Sequence, residues 1–134
     1  IDRQTTDFDD GRYEPSRLIE LGRAAYDAVC VATELEKRVQ RLDFCLRTLH
    51  ASIERLVAML HDPAAGNVGR AQKLLADALS IAARNPALGT RLPQWPHDPD
   101  TIRNLQREAL AKMQDHFAPS HPDVCALHQA LAAQ

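Results

Sequence analysis

The chain has little glycine and few aromatic residues: five glycines and six Phe, Tyr and Trp residues among 134. Sheet proteins rely on aromatic and β-branched residues in their strands and on glycine in their tight turns, so this shortage disfavours a sheet fold. Leucine and alanine, which both favour helices, are by contrast abundant, with 17 and 21 residues. The composition therefore predicts an all-α fold.

The chain also lacks a large excess of charge and a long apolar run. Sixteen Lys and Arg against eighteen Asp and Glu give a net charge of −2, which is too small for the field that attracts most nucleic-acid binders to phosphate. No apolar stretch approaches the roughly 18 residues that a membrane span requires. We therefore expect neither a membrane nor a nucleic acid as partner.

Cysteine is scarce, and its three positions lack the spacing of a known site. The number of cysteines is odd, and no two of them are spaced as Cys-x-x-Cys; they are Cys30, Cys45 and Cys125. They consequently indicate neither a disulfide framework nor a zinc site. Free thiols suit a reducing compartment, so we expect a cytoplasmic protein.

The strongest pattern is a heptad seam, defined as the apolar positions that recur at alternating spacings of three and four from residue 18 to residue 60. Its members are Leu18, Leu21, Ala25, Ala28, Ala32, Leu35, Val39, Leu42, Leu46, Leu49, Ile53, Leu56 and Leu60. A continuous helix over residues 16–61 would be about 69 Å long, nearly twice the diameter of roughly 36 Å expected for a compact chain of this size. The unbroken register favours one long, coiled-coil-like helix whose exposed seam is covered by a second chain.

A break near Thr33 is the alternative to that long helix. Val29, Val31 and Thr33 are β-branched, and Thr33-x-x-Glu36 has the form of a capping box. The chain would then fold back at this point.

Proline, glycine and capping residues divide the remainder of the chain. They predict an acidic N-terminal arm over residues 1–15 and a single α-helical domain over 16–134. Within this domain they predict shorter helices at about 68–85, 99–117 and 121–133 and a proline-rich loop over 86–98. The predicted fold is thus a helical bundle with one long heptad-patterned helix and three shorter ones.

The common nucleotide-binding, hydrolase and metalloprotease motifs do not occur in the sequence, and we expect no cofactor and no catalytic residue. The seam instead predicts a non-enzymatic protein–protein interaction module, such as an adaptor, chaperone or regulatory subunit, that forms a homo-oligomer, with a homodimer the simplest case. The residues expected to carry association are Leu35, Val39, Leu42, Leu46, Leu49, Ile53 and Leu56.

The only tryptophan, Trp95, stands between Pro93 and Pro96. An exposed tryptophan in such an extended segment would be a docking element for a partner. The other interpretation is that Trp95 folds back as a lid over the end of the bundle, because burying an indole would fix the proline-rich loop.

Two alternative functions rest on weaker patterns. A metal-dependent bundle enzyme would use His50 and Glu54, which are one helical turn apart, with His128 as a further ligand. A nucleic-acid-binding regulator would use the basic residues of the long helix, but these do not form one stripe. They are Lys37, Arg38, Arg41, Arg47 and Arg55.

Overall fold

The computed structural model describes residues 15–60 and 66–133, and within these ranges every regular element is a helix. The all-α prediction is therefore confirmed for the described part of the chain. The predicted acidic arm lies outside it as far as residue 14, and residue 15 already begins the first helix. The helices are α1 (Pro15–Val31), α2 (Leu35–Leu60), α3 (Gly66–Arg84), α4 (Pro86–Gly89), α5 (Pro99–His116) and α6 (Pro122–Ala132).

The prediction of a single long helix over residues 16–61 is wrong, because the chain leaves helical geometry between α1 and α2. The amide of Ala32 makes the last bonds of α1, to the carbonyl oxygens of Ala28 (3.1 Å) and Val29 (3.3 Å). The first bond of α2 runs from the amide of Arg38 to the carbonyl of Glu34, at 3.0 Å. Glu34 thus occupies the N-cap position that the capping-box pattern assigned to Thr33.

The break turns α1 and α2 into an antiparallel hairpin. The guanidinium of Arg41 donates to the carbonyl of Ala28 at 3.1 Å, and the thiol of Cys45 donates to the carbonyl of Gly22 at 3.2 Å. Residue numbers therefore rise along one helix as they fall along the other. Folding back places the first half of the heptad seam against the second half, so that a single chain covers much of its own seam.

Gly22 lets the two helices of the hairpin come close together. A Cβ atom added there would lie 2.5 Å from Cδ2 and 2.7 Å from Cγ of Leu49. Leu18, Leu42 and Leu49 are fully buried in the same apolar cluster around this contact. The heptad pattern thus describes an intrachain core.

Helix α3 lies between α2 and α5 and packs against both. Gly69 permits the approach of α5, since a Cβ there would lie 3.0 Å from the carbonyl oxygen of Ala109. Beside it the buried amide of Gln72 donates to Glu108 at 3.1 Å and accepts from Lys112 at 3.0 Å. The α3–α5 contact therefore combines close backbone packing with a polar bridge.

The loop predicted over residues 86–98 contains the short helix α4, with Pro86 in its first turn. Helix α5 begins with Asp98 as N-cap and Pro99 in the first turn, as their sequence order indicates, and the Asp98 carboxylate accepts from the amide of Thr101. Helix α6 is capped by His121, whose ring nitrogen accepts from the amide of Asp123 at 3.1 Å. Across the described ranges, none of the helices combines the length and the apolar character that crossing a bilayer requires.

Candidate interaction surfaces

The residues predicted to form an interface between chains lie mostly inside this one. Leu42, Leu46 and Leu49 have no exposed surface, and Leu56 is 4% exposed. Val39 and Ile53 are partly buried against the same clusters. The interaction seam is therefore corrected to an internal packing surface, because a side chain already covered by its own fold offers nothing to a second molecule.

Leu35 is the exception, and it belongs to a surface that the break creates. We call this surface the hairpin tip and define it as Cys30, Val31 and Leu35. Val31 is 77% exposed and Leu35 is 41% exposed, while Cys30 is an exposed free thiol. Met59, near the other end of α2, is the remaining large apolar residue of the described ranges that is exposed.

Charged residues on both sides of Leu35 make contacts within the chain. Lys37 and Glu34 are 3.6 Å apart, and Glu36 approaches Arg91 to 2.7 Å. The hydrogen bond and charge of Arg91 lower the pKa of the Glu36 carboxyl. The apolar tip is thus bordered by ion pairs, which the sequence pattern did not reveal because Arg91 is far from Glu36 along the chain.

Trp95 is half-buried against the main core. Its indole Nε1 donates to Oδ1 of Asp43 at 3.0 Å, and Gln94 donates to the same oxygen at 3.2 Å. The ring also meets His50 edge to face, with centroids 6.0 Å apart. The indole therefore holds the loop onto α2, while Pro93 and Pro96 remain exposed.

The structure does not bring the candidate metal ligands together. His50 lies 3.4 Å from Glu54 on the exposed side of α2, whereas His128 contacts the Gln114 side chain at 3.2 Å. Over residues 15–60 and 66–133, no three His, Cys, Asp or Glu side chains are grouped so that they could hold a metal ion. The described residues therefore contain no group of ligands that could form the metal site of the proposed bundle enzyme.

Three of the five basic residues of α2 contact groups of their own chain. Lys37 pairs with Glu34, and the Arg41 guanidinium binds a carbonyl of α1. Arg47 lies 3.0 Å from the carboxylate of Asp43, the residue that also holds Trp95. These contacts use cations that a phosphate-binding surface would need.

The buried thiol is not placed for nucleophilic chemistry. Burial raises the pKa of Cys45 to about 12, with smaller contributions from Cys30 and Asp27. A thiol attacks as the thiolate, so this shift opposes reactivity near neutral pH. Together with its hydrogen bond to Gly22, the shift identifies Cys45 as a structural residue of the hairpin.

Two depressions lie along α3. One, of about 230 Å³, is lined by residues of α1, α3 and α6, and it contains Lys73 paired with Asp77 at 2.7 Å. Burial, followed by the charge of Asp77, raises the pKa of Tyr26 at its edge. The other, of about 330 Å³, lies between α3 and α5 and has two arginines in its lining.

Comparison of the chain with protein-family models, with curated proteins and with solved structures gave no match.

Proposed function

We propose that this protein is a non-enzymatic protein–protein interaction module that self-associates through the hairpin tip. The observation that supports the proposal is the exposure of Val31 (77%) and Leu35 (41%) on the two sides of the break between α1 and α2, whereas Met59, the other exposed large apolar residue of the described ranges, lies near the far end of α2. The proposal keeps the interaction function expected from the heptad pattern. It moves the contact from the buried seam to the point where that seam is interrupted.

Apolar surface left in water favours association by about 25 cal/mol for each Å² that a partner covers. A two-fold arrangement is the simplest way to cover the tip, because each copy then supplies the same patch to the other. The patch contains few residues, so the expected dimer is weak and reversible rather than obligate. The surrounding ion pairs limit the cost of closing the contact, since their charges are already compensated within each chain.

Sedimentation velocity over a broad concentration range tests this proposal. The weight-average mass of the wild type should rise with concentration, and Val31→Asp or Leu35→Lys should hold the protein in the monomeric form. Met59→Lys is the matched control, because Met59 is as exposed as the tip residues but lies near the other end of α2. A wild type that stays monomeric, or an equal loss of association in Met59→Lys, would overturn the proposal.

The cysteines provide a second readout of which surface is in contact. Cys30 and Cys125 are both exposed, but only Cys30 is at the tip. Under mild oxidation, a Cys125→Ser variant should form a disulfide-linked dimer faster than a Cys30→Ser variant. Leu35→Lys should slow the first reaction and leave the second unchanged. Equal rates for the two cysteine variants would argue against contact at the tip.

Cytoplasmic location remains a prediction from the free thiols, and a metal-dependent enzyme or nucleic-acid regulator gains no supporting geometry from the described residues. His50 and Glu54 lack a grouped third ligand, and Arg41 and Arg47 bind within the fold. The interaction module is therefore the one function that we propose.

A further inference from the structure

The larger depression between α3 and α5 is separate from the hairpin tip and has a chemically distinct lining. It measures about 330 Å³, at the lower end of the roughly 300–1,000 Å³ typical of small-molecule pockets. Ala83, Pro99 and Ile102 supply an apolar surface, and Ile102 and Gln106 are the buried residues of the lining. The remaining lining residues are Ser80, Arg84, Arg103 and Gln106.

Among the residues that the structure describes, the charged groups of this lining are of one sign, because they are two guanidinium groups. In the ranges that the structure describes, no carboxylate lies within 4.0 Å of the guanidinium of Arg84. Arg103 is 3.6 Å from Asp100 and its side chain is 35% exposed. A guanidinium carries five N–H donors, so it can donate to a ligand while it keeps its existing contacts. The lining thus offers a cation beside an apolar surface.

We propose that this depression, which we call the α3–α5 pocket, binds a small amphipathic carboxylate. The carboxylate group contacts Arg84, with Arg103 as a second donor, because a planar guanidinium pairs with a carboxylate through two parallel hydrogen bonds. The hydrocarbon part of the ligand lies on Ala83 and Ile102. The open, shallow form of the pocket predicts modest affinity, and a chain of about eight carbons serves as the probe.

Three compounds of equal chain length separate charge recognition from simple hydrophobic binding. Octanoate, octanol and octylamine are titrated into isotopically labelled full-length protein below their aggregation limits, and amide chemical shifts are followed by NMR. We expect octanoate to give saturable shifts at Ser80, Ala83 and Arg103 with a Kd at or below about 1 mM. Octanol should bind at least about fivefold more weakly, and octylamine should not bind at these residues.

Variants locate the interaction. Arg84→Gln should weaken octanoate binding by about fivefold or more and Arg103→Gln by a smaller factor. Arg107→Gln is the matched control, because Arg107 is an exposed arginine on the same helix outside the pocket lining. Ala83→Phe should block the pocket from its exposed edge, with the amide spectrum reporting that the fold is intact.

Several results would overturn the proposal. These are the absence of saturable shifts at the pocket residues, octanol binding as tightly as octanoate, and unchanged octanoate binding in both Arg84→Gln and Ala83→Phe. None of these results depends on self-association at the tip, because Val31→Asp can serve as the background for the titrations. The two proposals therefore fail or stand separately.

Discussion

The indole Nε1 of Trp95 donates a 3.0 Å hydrogen bond to Oδ1 of Asp43, which lies 52 positions earlier in the chain. The same carboxylate accepts from Gln94 at 3.2 Å and lies 3.0 Å from Nε of Arg47. One side chain on α2 thus anchors the proline-rich loop and orients a neighbouring cation. The loop is held by a small number of identifiable contacts, which makes their contribution measurable.

Removal of this anchor should destabilise the protein. We expect Trp95→Ala to lower the free energy of unfolding by about 2–3 kcal/mol, mainly through lost apolar burial. Trp95→Phe, which keeps much of the ring but loses the donor, should cost about 1 kcal/mol. Urea denaturation followed by circular dichroism measures both losses, and equal losses in the two variants would show that the hydrogen bond dominates instead.

Asp43→Ala should loosen the same contact from the other side. Because Trp95 is the only tryptophan, its fluorescence reports the loop directly, and we expect a shift of its emission to longer wavelength as the indole gains water. The expected loss of stability is about 1–2 kcal/mol, since a half-buried donor loses its acceptor. Asp115→Ala, at an exposed position on α5, is the control and should change neither signal.

The contact between Gly22 and Leu49 should tolerate no added side chain. Alanine at position 22 would gain up to about 1 kcal/mol in helix propensity. Its Cβ, however, would meet Cγ of the fully buried Leu49 at 2.7 Å. Overpacking of this kind typically costs about 1–3 kcal/mol, so we expect Gly22→Ala to be destabilising in urea denaturation.

A double-mutant cycle separates the clash at Gly22 from a general effect on α1. Leu49→Ala alone should cost about 2–5 kcal/mol, because it leaves a cavity in the core. In its presence, Gly22→Ala should become neutral or stabilising, since the added methyl group then enters vacant space. Additive losses in the double variant would contradict the packing that we describe.

The three shorter regular helices were the most predictable part of the fold. The residues that begin and end these helices are close to the helix termini in sequence. Asp98 and Pro99 mark the start of α5, and Asn85 and Pro86 follow the end of α3. Capping and proline effects act within a few residues, so helix ends of this kind can be predicted from the sequence alone. The predicted ranges 68–85, 99–117 and 121–133 differ from the observed bounds by at most two residues.

The prediction of one long helix was wrong because the heptad pattern does not show where the chain folds back. Apolar periodicity reports which face of a helix is buried, but not whether another chain or the next segment of the same chain covers it. An antiparallel hairpin uses the residues of such a seam equally well. Leu42 and Leu49 therefore appear in the right pattern, yet they pack inside the chain instead of between chains.

The candidate surfaces were less predictable because they depend on the break and on distant contacts. Val31 and Leu35 are exposed because the chain turns between them. The choice between lid and docking element for Trp95 depends on Asp43, whose position relative to the loop is fixed only by the tertiary fold. Sequence reasoning identified Trp95 and Leu35 as notable residues, but it could not give their environments.

Thiol chemistry provides a test of the hairpin core. Cys30 and Cys125 are exposed, whereas Cys45 is buried and has a pKa raised to about 12. Native protein should react rapidly with a thiol reagent at two cysteines per chain, and the third should react only after unfolding. Mass spectrometry of the labelled peptides identifies the slow site, and rapid labelling of Cys45 would contradict the described packing.

The same shift gives Cys45 a defined alkaline dependence. The thiol of the unfolded chain loses its proton near pH 9, whereas the folded one retains it until about pH 12. The unfolded state is therefore favoured increasingly as the pH rises through this interval. Between pH 8 and pH 10, wild type should lose more stability than Cys45→Ala, as measured by urea midpoints, and parallel losses in the two proteins would contradict the assignment.

The N-cap of α5 should lose its stabilising effect in acid, whereas Cys45 destabilises the fold in alkali. Hydrogen bonds from the hydroxyl and amide of Thr101 lower the pKa of the Asp98 carboxyl below its ordinary 3.8. The ionised cap therefore contributes stability that is fully present above the ordinary pKa and is lost as the pH falls through the lowered one. Asp98→Ala should be less stable than wild type at pH 7, and Asp98→Asn should lie between them because its amide oxygen can still accept a bond. Thermal unfolding from pH 7 to pH 2 should show the gap between wild type and Asp98→Ala narrowing at the acidic end. A gap that stays constant over this range would show that the charge of Asp98 does not contribute to the cap.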